Sequence, residues 1–137
     1  MLTNAQIDAI CRGVAAEINT FHAAPIYEFV QLRNHFHFVC GCCRYDIRRF
    51  AGRIKGEGTK QLLKERIHPM QKFADPRGSV PSPWSVKPWV VYLFDDEDVI
   101  RSINYARNNL IRAGLPPQRH EFLTEYRGGT PGAAHRR

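Results

Sequence analysis

The stretch APIYEFVQLRNHFHFVCG, Ala24 to Gly41, decides the fold. Its first half, opened by Pro25, is rich in β-forming residues and reads as a strand. Arg33-Asn34 is a tight connection. HFHFVCG reads as a second strand, so the two predict an antiparallel hairpin. Strand side chains alternate between faces. His35, His37, Val39 and Gly41 therefore share one face, and Phe36, Phe38, Cys40 and Cys42 share the other. The second set reads as core.

Outward from the hairpin, apolar residues recur at helical spacing before it. Ile7, Ile10, Cys11, Val14, Ala15 and Ile18 form one stripe, and Thr3 with Gln6 makes a capping box, so a helix is expected over residues 4–20. A second helix is expected over 44–67, with Ile47, Phe50, Ala51, Ile54 and Leu62 on one side and Gly56 and Gly58 weakening its middle. A loop rich in Pro, Gly and Ser follows from Pro69 to Ser85. PWVVYLF reads as a third strand. DDEDVIRSINYARNNLIRAG reads as a third helix, with acids in its first turn and Gly114 as a stop signal. The order is α-β-β-α-β-α, an α+β chain. Residues 1–127 read as one domain and 128–137, RGGTPGAAHRR from Arg127 onward, as a disordered tail.

The chain has 137 residues, 43% of them hydrophobic and 11% aromatic, which describes a globular protein. No apolar run approaches the ~20 residues that cross a bilayer. The N-terminal residues lack the basic region and apolar core of a signal peptide, so a cytoplasmic location is expected. Twenty Lys and Arg against 13 Asp and Glu leave a net charge of +7, which favours a polyanionic partner, nucleic acid first. Three of the four cysteines crowd into Cys40, Cys42 and Cys43. That is not the spread of a disulfide framework, and C-x-C-C is not the usual spacing of a structural zinc site. Buried, inert thiols are expected.

Two imidazoles on one strand face, roughly 7 Å apart along the backbone, can converge on one ion. Two such histidines on a half-exposed strand also need no metal. The third helix bears on the choice. At 100° per residue, Val99, Ile100, Ile103, Ala106 and Leu110 form its buried stripe, whereas Tyr105 lies about 200° from the centre of that stripe. Asn109 lies one turn beyond Tyr105, flanked by Arg101 and Arg112. A phenol can act as a covalent nucleophile, guanidinium groups match phosphate geometry, and a histidine-bound cation can polarise a phosphate. A surface tyrosine among solvated arginines is the plain alternative. The second helix adds Arg44, Arg48, Arg49, Arg53, Lys55, Lys60, Lys64 and Arg66 against Asp46, Glu57 and Glu65, a local +5. Such a face can track a phosphate backbone. Lys87 lies between Trp84 and Trp89; Trp89 is expected in the core, and Trp84 either there or stacked on unpaired bases.

With these residues in place, the sequence resembles the HUH-type single-tyrosine transposases, in particular the REP-associated tyrosine transposases. HFH (His35–His37) is similar to the family's His-hydrophobic-His motif, and KGEGTKQL (Lys55–Leu62) to its lysine-glycine stretch. PSPWSVKPWVVYLFDDEDVIRSINYARNN (Pro81–Asn109) resembles the segment that leads to the catalytic tyrosine. RAGLPPQRHEFLTEY (Arg112–Tyr126) resembles its continuation. The resemblance implies a ferredoxin-like (RRM-like) antiparallel sheet with helices on one face. It implies His35, His37 and Asn109 as ligands of a divalent ion, Mg2+ or Mn2+. It implies that Tyr105 attacks a phosphate of single-stranded or hairpin DNA, keeps the 5′-phosphate side as a phosphotyrosine and releases a 3′-hydroxyl. Arg44, Arg48, Arg49, Arg53, Lys55, Lys60, Lys87, Arg101 and Arg112 would hold the DNA.

Two departures matter. Leu110 stands where the family has proline. The family's first strand, which would lie inside the sheet beside the histidine strand, has no counterpart here. An open edge is then expected, or a second copy of the chain filling it as a homodimer. The functions in contention are a metal-dependent DNA transposase cutting and joining single strands, a non-catalytic DNA-binding remnant of one, and a small zinc protein built on Cys40, Cys42 and Cys43.

Overall fold

The computed structural model describes residues 1–20, 24–42, 46–84 and 90–128, and the backbone of 134–136. Along them run α1 (Asn4–Thr20), β1 (Ile26–Gln31), β2 (Phe36–Cys40), α2 (Ile47–Lys64), β3 (Val90–Tyr92), α3 (Asp96–Arg112) and β4 (Ala134–Arg136). The architecture is α+β. Each helix start has a local cause. Thr3 N–H donates to Gln6 Oε1 at 2.8 Å and Gln6 N–H to Thr3 Oγ1 at 3.2 Å, the reciprocal capping box. Asp46 caps α2 through Arg48 N–H, and Asp95 caps α3 through Asp98 N–H. Beyond α3, Gly114 adopts φ 68°, a left-handed stop that glycine takes without a steric penalty.

β1 and β2 form the expected hairpin, pairing Phe29 with Phe38 and Val30 with His37; Leu32 N–H donates to His35 O across the turn at 2.8 Å. The pairing register shifts between Ile26 and Glu28. A bulge of this kind re-aims the side chains around it, and Tyr27 and Glu28 both meet α3 or its apolar cluster.

Helices cover both faces of the sheet, not one. Phe36 and Phe38 point to α1 and α2, where Phe38 meets Phe50 edge-on at 5.7 Å. His37 and Glu28 point the other way, to Tyr105 and Arg107 of α3. Both sides of the hairpin are dry. The larger apolar cluster holds Ile10, Phe29, Phe38, Phe50 and Leu62 and reaches Val30, Ala106 and Leu110 on the α3 side; a second holds Tyr27, Val39, Leu93, Val99 and Ile103. On the first face α1 and α2 pack so closely that a Cβ on Gly13 would stand 2.5 Å from Glu57 O, and one on Gly58 3.1 Å from Ile10 Cγ2. The helix-weakening glycine at 58 is thus the residue that permits the contact.

Several expectations are corrected. Ile100, assigned to the buried stripe of α3, is half exposed; Val99, Ile103, Ala106 and Leu110 are buried. Cys42, assigned to the core, is exposed because the strand ends at Cys40 and alternation ends with it. Trp84, for which the sequence leaves both places open, packs against the core: its ring meets Phe36 edge-on and its Nε1–H donates to Thr59 Oγ1 at 2.8 Å. Trp89 and Cys43 lie outside the described residues.

The sheet order is β1-β2-β4-β3, and β4 runs antiparallel to both neighbours. The segment beside the histidine strand is therefore supplied by the chain's own residues 134–136, pairing Val39 with His135 and Val91 with His135. The opposite edge, β1, is blunted by the segment after α3. Gln118 acts there as a backbone would, accepting Gln31 N–H at 2.9 Å and donating to Gln31 O at 2.8 Å. Thr124 N–H donates to Ile26 O at 2.7 Å. Among the described residues no helix is long and apolar enough to cross a membrane.

Candidate active site

The hairpin register puts His37 on the α3 side, and the helix period brings Tyr105 over it. The His37 and Tyr105 rings lie 5.8 Å apart in an edge-to-face arrangement. His37 is buried at 1% exposure, and Tyr105 is half-buried. The tyrosine sits away from the apolar stripe of α3, as the helical wheel predicts, yet it is held against the sheet rather than left at the surface.

His35 and His37 converge. Their Nε2 atoms stand 3.0 Å apart, a hydrogen bond in which one ring donates to the other and whose proton a bound cation would displace. Asn34 Oδ1 lies 2.5 Å from His35 Nδ1; in the tautomer with the proton on Nδ1 it accepts that N–H and leaves Nε2 with its lone pair. This is how a neighbouring group fixes the tautomer of a metal-binding histidine. Two nitrogens bound cis to one octahedral ion, each at ~2.1 Å, stand ~3.0 Å apart. The pair therefore fits a small divalent cation. Among the described residues no group of three or more His, Cys, Asp or Glu is arranged to hold a metal. An amide oxygen could join the two imidazoles. Asn109 is suited to that. Its Nδ2 is buried and has no hydrogen-bond partner among the described residues. A half-turn of the amide puts its oxygen, the atom a hard cation takes, in that position.

Of the predicted DNA-binding cations, Arg112 meets Tyr105, its guanidinium 5.7 Å from the ring centroid. Arg101 turns back along its own helix to Glu97 and Asp98. Arg53 pairs with Glu17, and Lys60 with Glu57. Arg48 and Arg49 are exposed at the start of α2, and Lys55 is half-buried in its middle. The basic helix thus lies across the sheet from Tyr105. It does not extend the histidine site. Arg44 and Lys87 fall outside the described residues.

Sequence reasoning missed three groups. Asn34 is one. Glu28 and Arg107 are the others: Glu28, 3% exposed, accepts Arg107 Nε–H at 2.6 Å and Phe29 N–H at 3.0 Å. Arg107 and Tyr105 are 200° apart on α3. The helix therefore straddles the hairpin, tied to β1 on one flank and lying against His37 of β2 on the other. The available signal was a lone carboxylate inside an apolar strand, which needs a partner if buried. Of the thiols, Cys11 is held inert, its pKa pushed up to about 12 by burial and by the nearby Asp8.

No protein-family model, no curated protein and no solved structure matches this chain.

Proposed function

We propose that the chain is a metal-dependent enzyme that cuts and rejoins single-stranded DNA through Tyr105, of the kind its sequence resembles. The observation that carries this reading is the contact of the Tyr105 ring with His37, whose Nε2 converges with that of His35 at 3.0 Å. A phenol beside a dication-binding pair is the minimum equipment for phosphoryl transfer to tyrosine. His35, His37 and the amide of Asn109 would hold Mg2+ or Mn2+. The bound ion would supply positive charge to the phosphate oxygens. Tyr105 Oη bonds to phosphorus as the phenolic proton leaves. The bond from phosphorus to the 3′-oxygen breaks, and that oxygen takes a proton from solvent to replace the one the phenol gives up to solvent, leaving a 5′-phosphotyrosine and a free 3′-hydroxyl. Arg112 stands where its guanidinium can take a phosphate oxygen beside the nucleophile.

The ferredoxin-like arrangement belongs to the same proposal. In it β4 fills the position of the family's first strand from the other end of the chain, so the sheet does not need a second copy to close. The net charge of +7 supports a nucleic-acid partner.

The test is incubation with a labelled single-stranded hairpin DNA and Mn2+, followed by denaturing electrophoresis. A covalent adduct that disappears in Tyr105→Phe is expected. Salt-dependent DNA binding with no adduct would leave the chain a non-catalytic DNA-binding protein and overturn the enzymatic reading.

A further inference from the structure

On the flank of α3 turned away from Tyr105 lies a cleft of about 490 Å3, within the ~300–1,000 Å3 range of small-molecule sites. Val30, Leu110 and Leu123 give it apolar walls. Two polar groups in it are unusual. The first is Glu28, a carboxylate at 3% exposure. Its Oε2 takes Arg107 Nε–H and its Oε1 takes Phe29 N–H. A carboxylate oxygen accepts at two lone-pair positions, so each oxygen keeps one acceptor site. The second is His120. Its ring is clamped, stacked on Phe122 at 4.9 Å and edge-on to Phe29 at 5.5 Å. Its Nε2 is buried and has no hydrogen-bond partner among the described residues. Burial holds this imidazole below its usual pKa, against the opposing pull of the Glu28 carboxylate and of a hydrogen bond to the Phe29 backbone.

An apolar slot with a two-oxygen acceptor and an orphaned ring nitrogen is shaped for a flat heterocycle with a polar edge. We propose that this cleft binds an unpaired guanine base, docked on Glu28 by its N1–H and N2–H2 donors with His120 Nε2 taking a further hydrogen bond. Guanine alone among the four bases presents two adjacent N–H donors on one edge, which match a carboxylate. Adenine presents one donor beside an acceptor there, cytosine one donor beside two acceptors, and thymine one donor between two acceptors. Unpaired bases are read in this way, by their Watson–Crick edges in pockets beside the backbone path. That the base arrives as part of a DNA strand rests on the strand-cutting reading above. The cleft and Tyr105 then occupy the two flanks of one helix, so the base would set the register of the phosphate offered to the nucleophile.

The experiment follows the His120 imidazole resonance, assigned by its loss in His120→Gln, while the full chain is titrated with each deoxynucleoside monophosphate. All four carry the same phosphate, so differences report the base. Saturable shifts with dGMP and at least tenfold weaker responses to dAMP, dCMP and TMP are expected. Glu28→Gln, which puts an amide N–H against the guanine donors, should weaken dGMP at least tenfold. Leu123→Trp fills the slot from a half-buried position and should abolish the response if Glu28→Gln fails to fold. Tyr105→Phe should leave it unchanged. Equal responses to all four nucleotides, no saturable response, or a dGMP response intact in Leu123→Trp overturns the inference. A tyrosine adduct without a dGMP response removes the base site and leaves the enzyme. A dGMP response without an adduct removes the enzyme and leaves the base site.

Discussion

Two alanine substitutions in helical glycines should change stability in opposite directions, and the structure gives the reason. In α1, a Cβ on Gly13 would lie 2.5 Å from Glu57 O and 2.9 Å from Gln61 Cβ of α2, where ordinary contacts begin at 3.4 Å. The nearer atom is backbone and cannot rotate aside, so the helices would have to part by several tenths of an ångström. Overpacking of this kind costs about 1–3 kcal/mol. A backbone clash at 2.5 Å belongs in the upper part of that range, about 2–3 kcal/mol, and alanine's better helix propensity returns about 1 kcal/mol, leaving Gly13→Ala destabilised by about 1–2 kcal/mol. In α2, a Cβ on Gly52 meets nothing within 4 Å. There only the propensity and unfolded-chain entropy act, and Gly52→Ala should gain about 0.5–1 kcal/mol. At about 3 °C per kcal/mol for a chain of this size, thermal melts should separate the two variants by roughly 5–9 °C. Should Gly13→Ala melt at or above the parent, the close approach of α1 and α2, and with it the backing of the histidine strand, would be wrong.

Asn34 is exposed and acts on His35 alone, so Asn34→Ala should leave the melting temperature nearly unchanged while weakening Mn2+ binding about 10–100-fold by calorimetric titration; unaltered affinity would remove its role in fixing the tautomer. Deleting residues 129–137 takes β4 from between β2 and β3. Amide exchange at Val91 and Tyr92 should then accelerate sharply while α1 and α2 stay protected, with a global loss of order 1–3 kcal/mol. Unchanged exchange in β3 would show that β4 contributes nothing to the sheet. His68 is buried, its Nδ1 accepts Met70 N–H at 3.0 Å, and burial holds its pKa below 6.5. The neutral form is favoured by folding, so this contribution is present above pH 6.5 and lost as pH falls below it. Denaturant midpoints should drop on acidification through that window, and less steeply in His68→Gln.

Much of this chain could be read from neighbours within a few residues. The Thr3–Gln6 box, Asp46 and Asp95 mark helix starts because capping is a bond across two or three residues. Alternation alone put His35 and His37 on one face, and the 100° step alone put Tyr105 and Asn109 together off the apolar stripe of α3. Those periods are properties of the backbone, and they do not depend on what lies opposite.

What lies opposite was decided by packing. No local pattern states which face of the hairpin α3 takes, so helices were expected on one face and occur on both. Ile100 fits the apolar arc by angle but reaches no partner, and Cys42 follows an alternation that ends two residues before it. Glu28 and Arg107 are 79 positions apart, and only the register shift at Glu28 with the rotation of α3 brings them to 2.6 Å. The place of residues 134–136 beside β2 is likewise invisible to composition, since glycine and proline on their approach suggest a free tail. The sequence by itself determined which side chains share a face. The tertiary structure decided which faces meet, because burial and long-range pairing depend on the whole sheet, whereas periodicity depends on the bond angles of one segment.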